Sequence, residues 1–230
     1  MERYSIIKGK FAREFLLLQG TGCRWKKCSF CDYYEDCSPE PYESTNKAVL
    51  DMVTGETGVL DIINSGSALE LDPATIAAIR KVVRDKGIHT LWFEMHYMYR
   101  HRLKAFAQLF SPAEVKFRCG VETFDPQLRD RWQKGIGQDV TPQDIAEYFS
   151  GICLLCCTDT PGDTRERLLK DIALAEEYFE YYSLNLFCPN GTELKRNEEM
   201  AQWVEKEIYP ALSHSSKAEV LINNTDLGVG

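Results

Sequence analysis

Three cysteines, Cys23, Cys28 and Cys31, fall within nine residues of the stretch GTGCRWKKCSFCDYY, which begins at Gly20 and directly follows the apolar run EFLLLQ. In a reducing compartment, thiols this close together are metal ligands rather than a disulfide framework. Their C-x4-C-x2-C spacing admits two chemistries. One is a zinc knuckle completed by a fourth ligand such as Cys37 or a histidine, although structural zinc usually draws on paired C-x2-C units. The other is a [4Fe–4S] cluster held by three thiolates, with one iron left open. An iron without a protein ligand does nothing for structure and is useful for chemistry.

Composition narrows the setting. The chain has 230 residues, 44% hydrophobic and 27% charged, which is ordinary globular usage and enough to bury a substantial core. No apolar run approaches the roughly 20 residues of a spanning helix. The N-terminus MERYSIIKGK has no secretory h-region, so a cytoplasmic protein with no membrane partner is expected. The formal net charge of −8 works against a nucleic-acid partner, which needs Lys and Arg to displace phosphate counterions. A small-molecule substrate is the expectation instead.

The thiols need a scaffold, and the rest of the chain alternates strand-like and helix-like segments. Strands are expected over 14–19, 59–64, 89–95, 115–122, 151–157 and 182–188, with a last short one in KAEVLINN. The helices between them carry end signals: Asp72-Pro73 with Gly87, Asp125-Pro126 with Gly135, and Thr141-Pro142. The long GDTRERLLKDIALAEEYF segment places Leu168, Ile172, Ala175 and Phe179 on one stripe, and NEEMAQWVEKEIYPAL forms the last helix. Six such units imply a parallel sheet covered by helices, too few for a closed eight-fold barrel. The expected fold is α/β, a partial (βα)6 barrel with helices outside, in one domain over residues 1–230. Ligands in such folds bind beyond the carboxyl ends of the strands.

The cysteine loop resembles the signature of the radical S-adenosylmethionine superfamily, whose usual spacing is C-x3-C-x2-C with an aromatic residue before the last cysteine. Phe30 holds that aromatic position, while the first gap is one residue longer. The turn Asn64-Ser65-Gly66-Ser67 resembles the family's Gly-containing turn after the second strand, where the missing Cβ lets backbone approach a ligand. GVET at Gly120–Thr123 resembles a sequence after the fourth strand, and the PGDT and CPNGTEL stretches resemble later family loops. The resemblance implies that Cys23, Cys28 and Cys31 hold a [4Fe–4S] cluster whose open iron chelates S-adenosyl-L-methionine. It implies that the turn 64–67 receives the methionine amino group and that Glu122 contacts the amine or the ribose. The reaction implied is one-electron cleavage of the cofactor to a 5′-deoxyadenosyl radical, with an electron donor such as flavodoxin or ferredoxin.

The substrate is sought among residues facing inward, since side chains alternate along a strand. Phe93 and Met95 suit the helix-facing side, which turns Trp92, Glu94 and His96 inward. Leu184 and Leu186 turn outward, leaving Asn185 and Phe187 inside. Arg118 shares the inner side with Glu122. Val220 and Ile222 face out, leaving Asn223 inside and Asp226 on the rim. An aromatic surface with directional polar groups suits a purine-like base, whose amide edge wants a carboxylate. A carboxylate in a strand interior needs a partner or a ligand, which makes Glu94 the first candidate for binding or catalysis. His96 is the second, although a histidine at a strand end is more commonly solvated or capping. Arg118, Arg100 or Lys195 would meet a phosphate. Cys37, Cys119, Cys153, Cys156, Cys157 and Cys188 read as small apolar core residues, a second metal site being the alternative.

Small size and acidity resemble, within the superfamily, the salvage enzymes that release the 7-deazaguanine base queuine from queuosine 5′-phosphate by cleaving the ribose–base link. Radical modification of a tRNA nucleoside or a peptide is the alternative within the superfamily. A zinc-binding interaction module without catalysis is the alternative outside it.

Overall fold

Eight strands lie in one sheet in chain order, β1 to β8, in a computed structural model that describes residues 1–230. They are β1 (Tyr4–Ile7), β2 (Arg13–Leu18), β3 (Val59–Asn64), β4 (Thr90–Met95), β5 (Glu114–Glu122), β6 (Gly151–Cys156), β7 (Tyr181–Leu186) and β8 (Ala218–Leu221). β1 runs antiparallel to β2, while β2–β3, β3–β4, β5–β6, β6–β7 and β7–β8 are parallel pairs. All six residues of REFLLL in β2 and of GICLLC in β6 are buried, as strands covered on both faces require.

The intervening helices are α1 (Lys47–Asp51), α2 (Pro73–Asp85), α3 (Leu103–Ala107), α4 (Pro126–Arg131), α5 (Pro142–Ala146), α6 (Arg165–Tyr178), α7 (Glu198–Trp203) and α8 (Tyr209–Leu212). The expected caps are in place: Asp72 accepts from the amides of Ala74 and Thr75, Asp125 from Leu128, and Thr141 from Asp144. Gly87 adopts φ +66 just beyond α2, a left-handed turn that glycine takes without a Cβ clash. The α/β class with six parallel strand–helix units is as expected. β1, α1 and the helical turns over 97–110 were not. β1 is short and half-buried, and its place is set by pairing with β2 rather than by its own pattern.

Two compact units make up the chain. The first comprises Met1–Lys26, Tyr33–Phe117 and Thr225–Gly230; the second comprises Lys27–Asp32 and Arg118–Asn224. In the first, Phe15, Leu17 and Val229 form a buried cluster flanked by Ile7, Ile63 and Leu227. Phe93 packs on Phe106 and Phe110, which confirms that it faces the helices. In the second, Leu128, Trp132, Leu155 and Phe187 cluster, with Phe30 and Leu194 against them.

The stripe on α6 departs from expectation. Leu168, Ala175 and Phe179 are buried, but Ile172 is only half-buried and Asp171 is buried instead. Asp171 is held by Arg167, whose Nη1 donates to Asp171 Oδ2 at 2.9 Å and to the Leu155 carbonyl at 3.2 Å. Arg167 also bridges to Asp163, which accepts from the amide and hydroxyl of Thr158. Asp171 Oδ1 in turn accepts the Phe124 amide at 3.0 Å. One buried guanidinium therefore ties α6 to the loops after β5 and β6. Removing one partner of such a pair strands a charge in the interior, so Asp171→Ala should lower unfolding free energy by about 3 kcal/mol. Urea denaturation of the apoprotein measures this as a lower midpoint at unchanged slope, and a loss below about 1 kcal/mol would contradict it.

Candidate active site

In the first unit, the chain leaves β2 through Gly20, whose amide donates to Ser65 Oγ at 2.7 Å, and Gly20 also forms an isolated parallel bridge with Cys37. The start of the loop is fastened to Glu70. Thr21 Oγ1 donates to the Glu70 carbonyl at 3.0 Å, and the Arg24 amide donates to Glu70 Oε1 at 3.0 Å. The same carboxylate accepts the Ser67 amide (2.8 Å) and the Tyr99 hydroxyl (2.7 Å). Burial, followed by that bond to a carboxylate, pushes the Tyr99 hydroxyl up to about 12. The turn 64–67 lies directly on this start: a Cβ at Gly66 would press into Glu70 Oε2, meet the Gly22 carbonyl oxygen at 2.9 Å and the Cys23 Cα at 3.3 Å. Asn64 Nδ2 donates to the Ser67 carbonyl at 3.3 Å, whereas its buried Oδ1 has no partner. An unmatched buried acceptor is costly, and this one is suited to an ammonium or N–H donor of a ligand.

In the second unit, residues 27–32 are held from both sides. The Ser29 amide donates to the Trp132 carbonyl at 3.1 Å, and Phe30 packs edge-on against Trp132 with centroids 6.0 Å apart. Asn190 Nδ2 donates to the Phe30 carbonyl at 2.8 Å, and the Gly191 amide to Asp32 Oδ2 at 2.7 Å. Lys134 lies over the Phe30 ring and donates to Glu122 Oε1 at 2.9 Å. Burial works against the Lys134 ammonium. The Glu122 carboxylate, and then the nearby Cys28, more than offset it and raise its pKa well above the usual lysine value. Glu122 itself has φ +66 where the β5–β6 register shifts, a conformation that a non-glycine residue adopts only when its surroundings impose it.

No disulfide joins any of the nine cysteines. Cys23, Cys28 and Cys31 are half-buried, while Cys119, Cys153, Cys156 and Cys157 are buried, as core residues should be. Cys37 is exposed and Cys188 half-buried, so neither belongs to the core as expected. Cys153 and Cys156 also stand at C-x2-C spacing, but on a strand that offset sends side chains to opposite faces. No group of three or more His, Cys, Asp or Glu side chains gathers closely enough to hold one metal ion.

The remaining expected residues fare unequally. Leu91, Phe93 and Met95 are buried and Trp92, Glu94 and His96 half-buried, the alternation expected of β4. His96 caps the turn that follows, its Nδ1 accepting the Met98 amide and its own amide donating to Ser67 Oγ, and Trp25 stacks on its ring at 5.4 Å. Asn185 donates to the Leu154 carbonyl and to Ser183 Oγ. Arg118 is not at the carboxyl ends of the strands. It is buried level with Gly151 and Tyr181, the first residues of β6 and β7, and lies over the Tyr181 ring. Asn223 was expected inside, yet β8 ends at Leu221 and both Asn223 and Asp226 are exposed beyond it. Register pairs Ser183 with Glu219, so Glu219 takes the inward position and accepts the Tyr181 hydroxyl at 2.7 Å.

Sequence reading missed Glu70 and Lys134. The S-x-x-E spacing of Ser67 and Glu70 is a capping-box signature and was available. Lys134 stands 12 residues from Glu122, and nothing local announces their pairing.

No family model matches the sequence and no curated protein matches it. Among solved structures, a queuine lyase from Clostridium spiroforme bound to S-adenosylmethionine and queuine aligns with TM-score 0.93 and 39% identity, over 100% of this chain and 99% of that one. The chain belongs to the queuine lyase family. This places it among radical S-adenosylmethionine enzymes, with a [4Fe–4S] cluster and S-adenosylmethionine as cofactors. Streptococcus suis SuiB bound to its precursor peptide SuiA aligns with TM-score 0.55 and 14% identity, over 89% of this chain and 48% of that one, and shares the fold alone.

As a queuine lyase family member, the chain should tolerate no side chain at position 66. Gly66→Ala displaces either Glu70 or the backbone at Cys23, and should reduce both iron content after reconstitution and affinity for S-adenosylmethionine, the latter about tenfold or more. Iron analysis and calorimetry check this, and wild-type values for both would refute it.

Proposed function

We propose that the chain, as a single radical S-adenosylmethionine domain over residues 1–230, is a queuine lyase that releases queuine from queuosine 5′-phosphate by breaking the ribose–base link. The observation that carries this reading is the end-to-end likeness, at 39% identity, to a queuine lyase bound to S-adenosylmethionine and queuine. The unpartnered Asn64 Oδ1 and the side-chain-free Gly66 beside Cys23 fit the cofactor pair on independent grounds.

When bound, the cluster and S-adenosylmethionine supply a 5′-deoxyadenosyl radical that takes a hydrogen atom from the substrate sugar. The chain's own residues bind, orient and shield. Cys23, Cys28 and Cys31 would hold the cluster, and Phe30 wedges their loop against Trp132. Asn64 to Ser67 would receive the methionine amino group through Asn64 Oδ1 and exposed backbone. Glu122, steadied by Lys134, would accept from the cofactor's ribose hydroxyls or its amine. Trp92 offers a flat face for the base, and Glu94 on the same side of β4 would accept its amide N–H or the cyclopentenediol amine. Asn185 would add a directional bond at the inner face of β7. His96, Arg118, Asn223 and Asp226 take no part in this assignment. His96 already caps a turn, Arg118 lies at the far strand ends, and the other two are exposed. Phosphate recognition would then fall to rim cations such as Lys195.

Incubating the reduced, cluster-loaded protein with S-adenosylmethionine and queuosine 5′-phosphate should yield queuine by mass spectrometry. No release above a control lacking S-adenosylmethionine would sink the assignment. Glu94→Gln should keep the cluster and lower kcat/KM about tenfold to hundredfold, the worth of one charge-assisted bond. Cys28→Ala should abolish cluster uptake while Cys156→Ala leaves it intact; equal iron loss in both would point to a second metal site.

A further inference from the structure

The charge distribution in the first unit is at odds with the chain as a whole. Acidic residues outnumber basic ones, 35 to 27, for a net charge of −8. Yet RWKK at 24–27 carries three cations and no anion. YMYRHRLK at 97–104 carries Arg100, Arg102, Lys104 and His101, and no acidic residue occurs from His96 to Ala113.

The two segments meet. Trp25 stacks on His96, with ring centroids 5.4 Å apart, and the Arg24 amide and the Tyr99 hydroxyl share one oxygen of Glu70. Arg24 and Arg102 both bear electrostatically on that hydroxyl. Arg24, Lys26 and Arg102 are exposed. Arg100 and Arg102 are propped on the rings of Tyr97 and Tyr99, and Lys26 on that of Tyr34. The nearby carboxylate, Glu70, is engaged by two amides and a hydroxyl rather than by these cations. A positive patch thus starts one residue from Cys23 on a protein that is otherwise acidic.

We propose that Arg24, Lys26, Arg100 and Arg102 form the docking surface for the protein that reduces the enzyme, a small acidic one-electron carrier such as a flavodoxin or ferredoxin. The proposal rests on the lyase reading, which requires one external electron per cleavage. Electron transfer falls off steeply with distance, so the carrier must come to the cysteine loop itself. Two acidic proteins repel each other except where one presents the opposite sign, and such a patch steers encounter and fixes orientation. One electron leaves the reduced carrier and enters the cluster. It is consumed in breaking the C5′–S bond of S-adenosylmethionine, giving neutral methionine and the 5′-deoxyadenosyl radical, and no covalent bond forms between the proteins.

The test uses the loaded enzyme, a purified flavodoxin as probe, and the variants Lys26→Glu, Arg102→Glu and their combination, with melting temperatures confirming that each folds. Calorimetric binding should weaken about tenfold or more in the double variant. Wild-type binding should weaken comparably on raising salt from about 50 to about 300 mM. Turnover driven by reduced flavodoxin should fall by the same factor, while turnover driven by dithionite, which needs no docking, stays within about twofold of wild type. Unchanged flavodoxin binding in the double variant would overturn the proposal. So would an equal loss with dithionite accompanied by a raised KM for the nucleotide, which would give the patch to the substrate phosphate. A wild-type enzyme that binds flavodoxin yet makes no product with dithionite would overturn the lyase reading and the docking proposal with it.

Discussion

A loop that must present three thiols has almost no hydrogen bonding of its own, and this constraint shapes everything around it. Between Gly20 and Ser38 the backbone forms only a 3-10 turn at Tyr33–Glu35 and the isolated bridge from Gly20 to Cys37, before a π-helical turn at Tyr42–Asn46 leads into α1. Its conformation is therefore imposed from outside. In the first unit Ser65 and Glu70 hold residues 20–24. In the second, Trp132, Asn190 and Gly191 hold residues 29–32. Each of these holders sits just past the carboxyl end of a strand or at the end of the helix that follows it.

The holders are themselves held by charge. Glu70 caps its own turn and its carboxylate takes two further donors, so it organises the turn and the loop together. Lys134 and Glu122 neutralise each other in a buried setting where either alone would be strongly disfavoured. Arg167 bridges Asp163 and Asp171, and lies across the Trp132 ring on which Phe30 packs. Polar networks of this kind contribute less to net stability than to fixing one arrangement over its competitors.

Much of this was legible in the sequence because the relevant signals are local. Asp-Pro caps, apolar runs of strand length and the three thiols each show themselves within a dozen residues. The alternation that turns Trp92 and Glu94 away from Phe93 follows from the pleat alone. The failures were non-local. Nothing near Asn223 says that β8 stops at Leu221, because strand length is set by pairing with β7. Arg118 was expected beside Glu122 on the inner side, but its depth along the strand depends on register with β6 and β7. Lys134 finds Glu122 only through the fold of α4. The α6 stripe put Ile172 in the core, and nothing local says that Asp171 is buried instead, because its burial depends on the pairing with Arg167 one turn earlier.

The left-handed backbone at Glu122 has a further consequence. A residue bent into that geometry during folding has already given up its alternatives before any ligand arrives. Ordering entropy that would otherwise weaken each encounter with a small molecule is settled once, when the chain folds. With Glu122 in its proposed role, substitutions that relax this bend, for instance by loosening the register shift beneath it, would make the resting protein sturdier and its grip on ligand poorer.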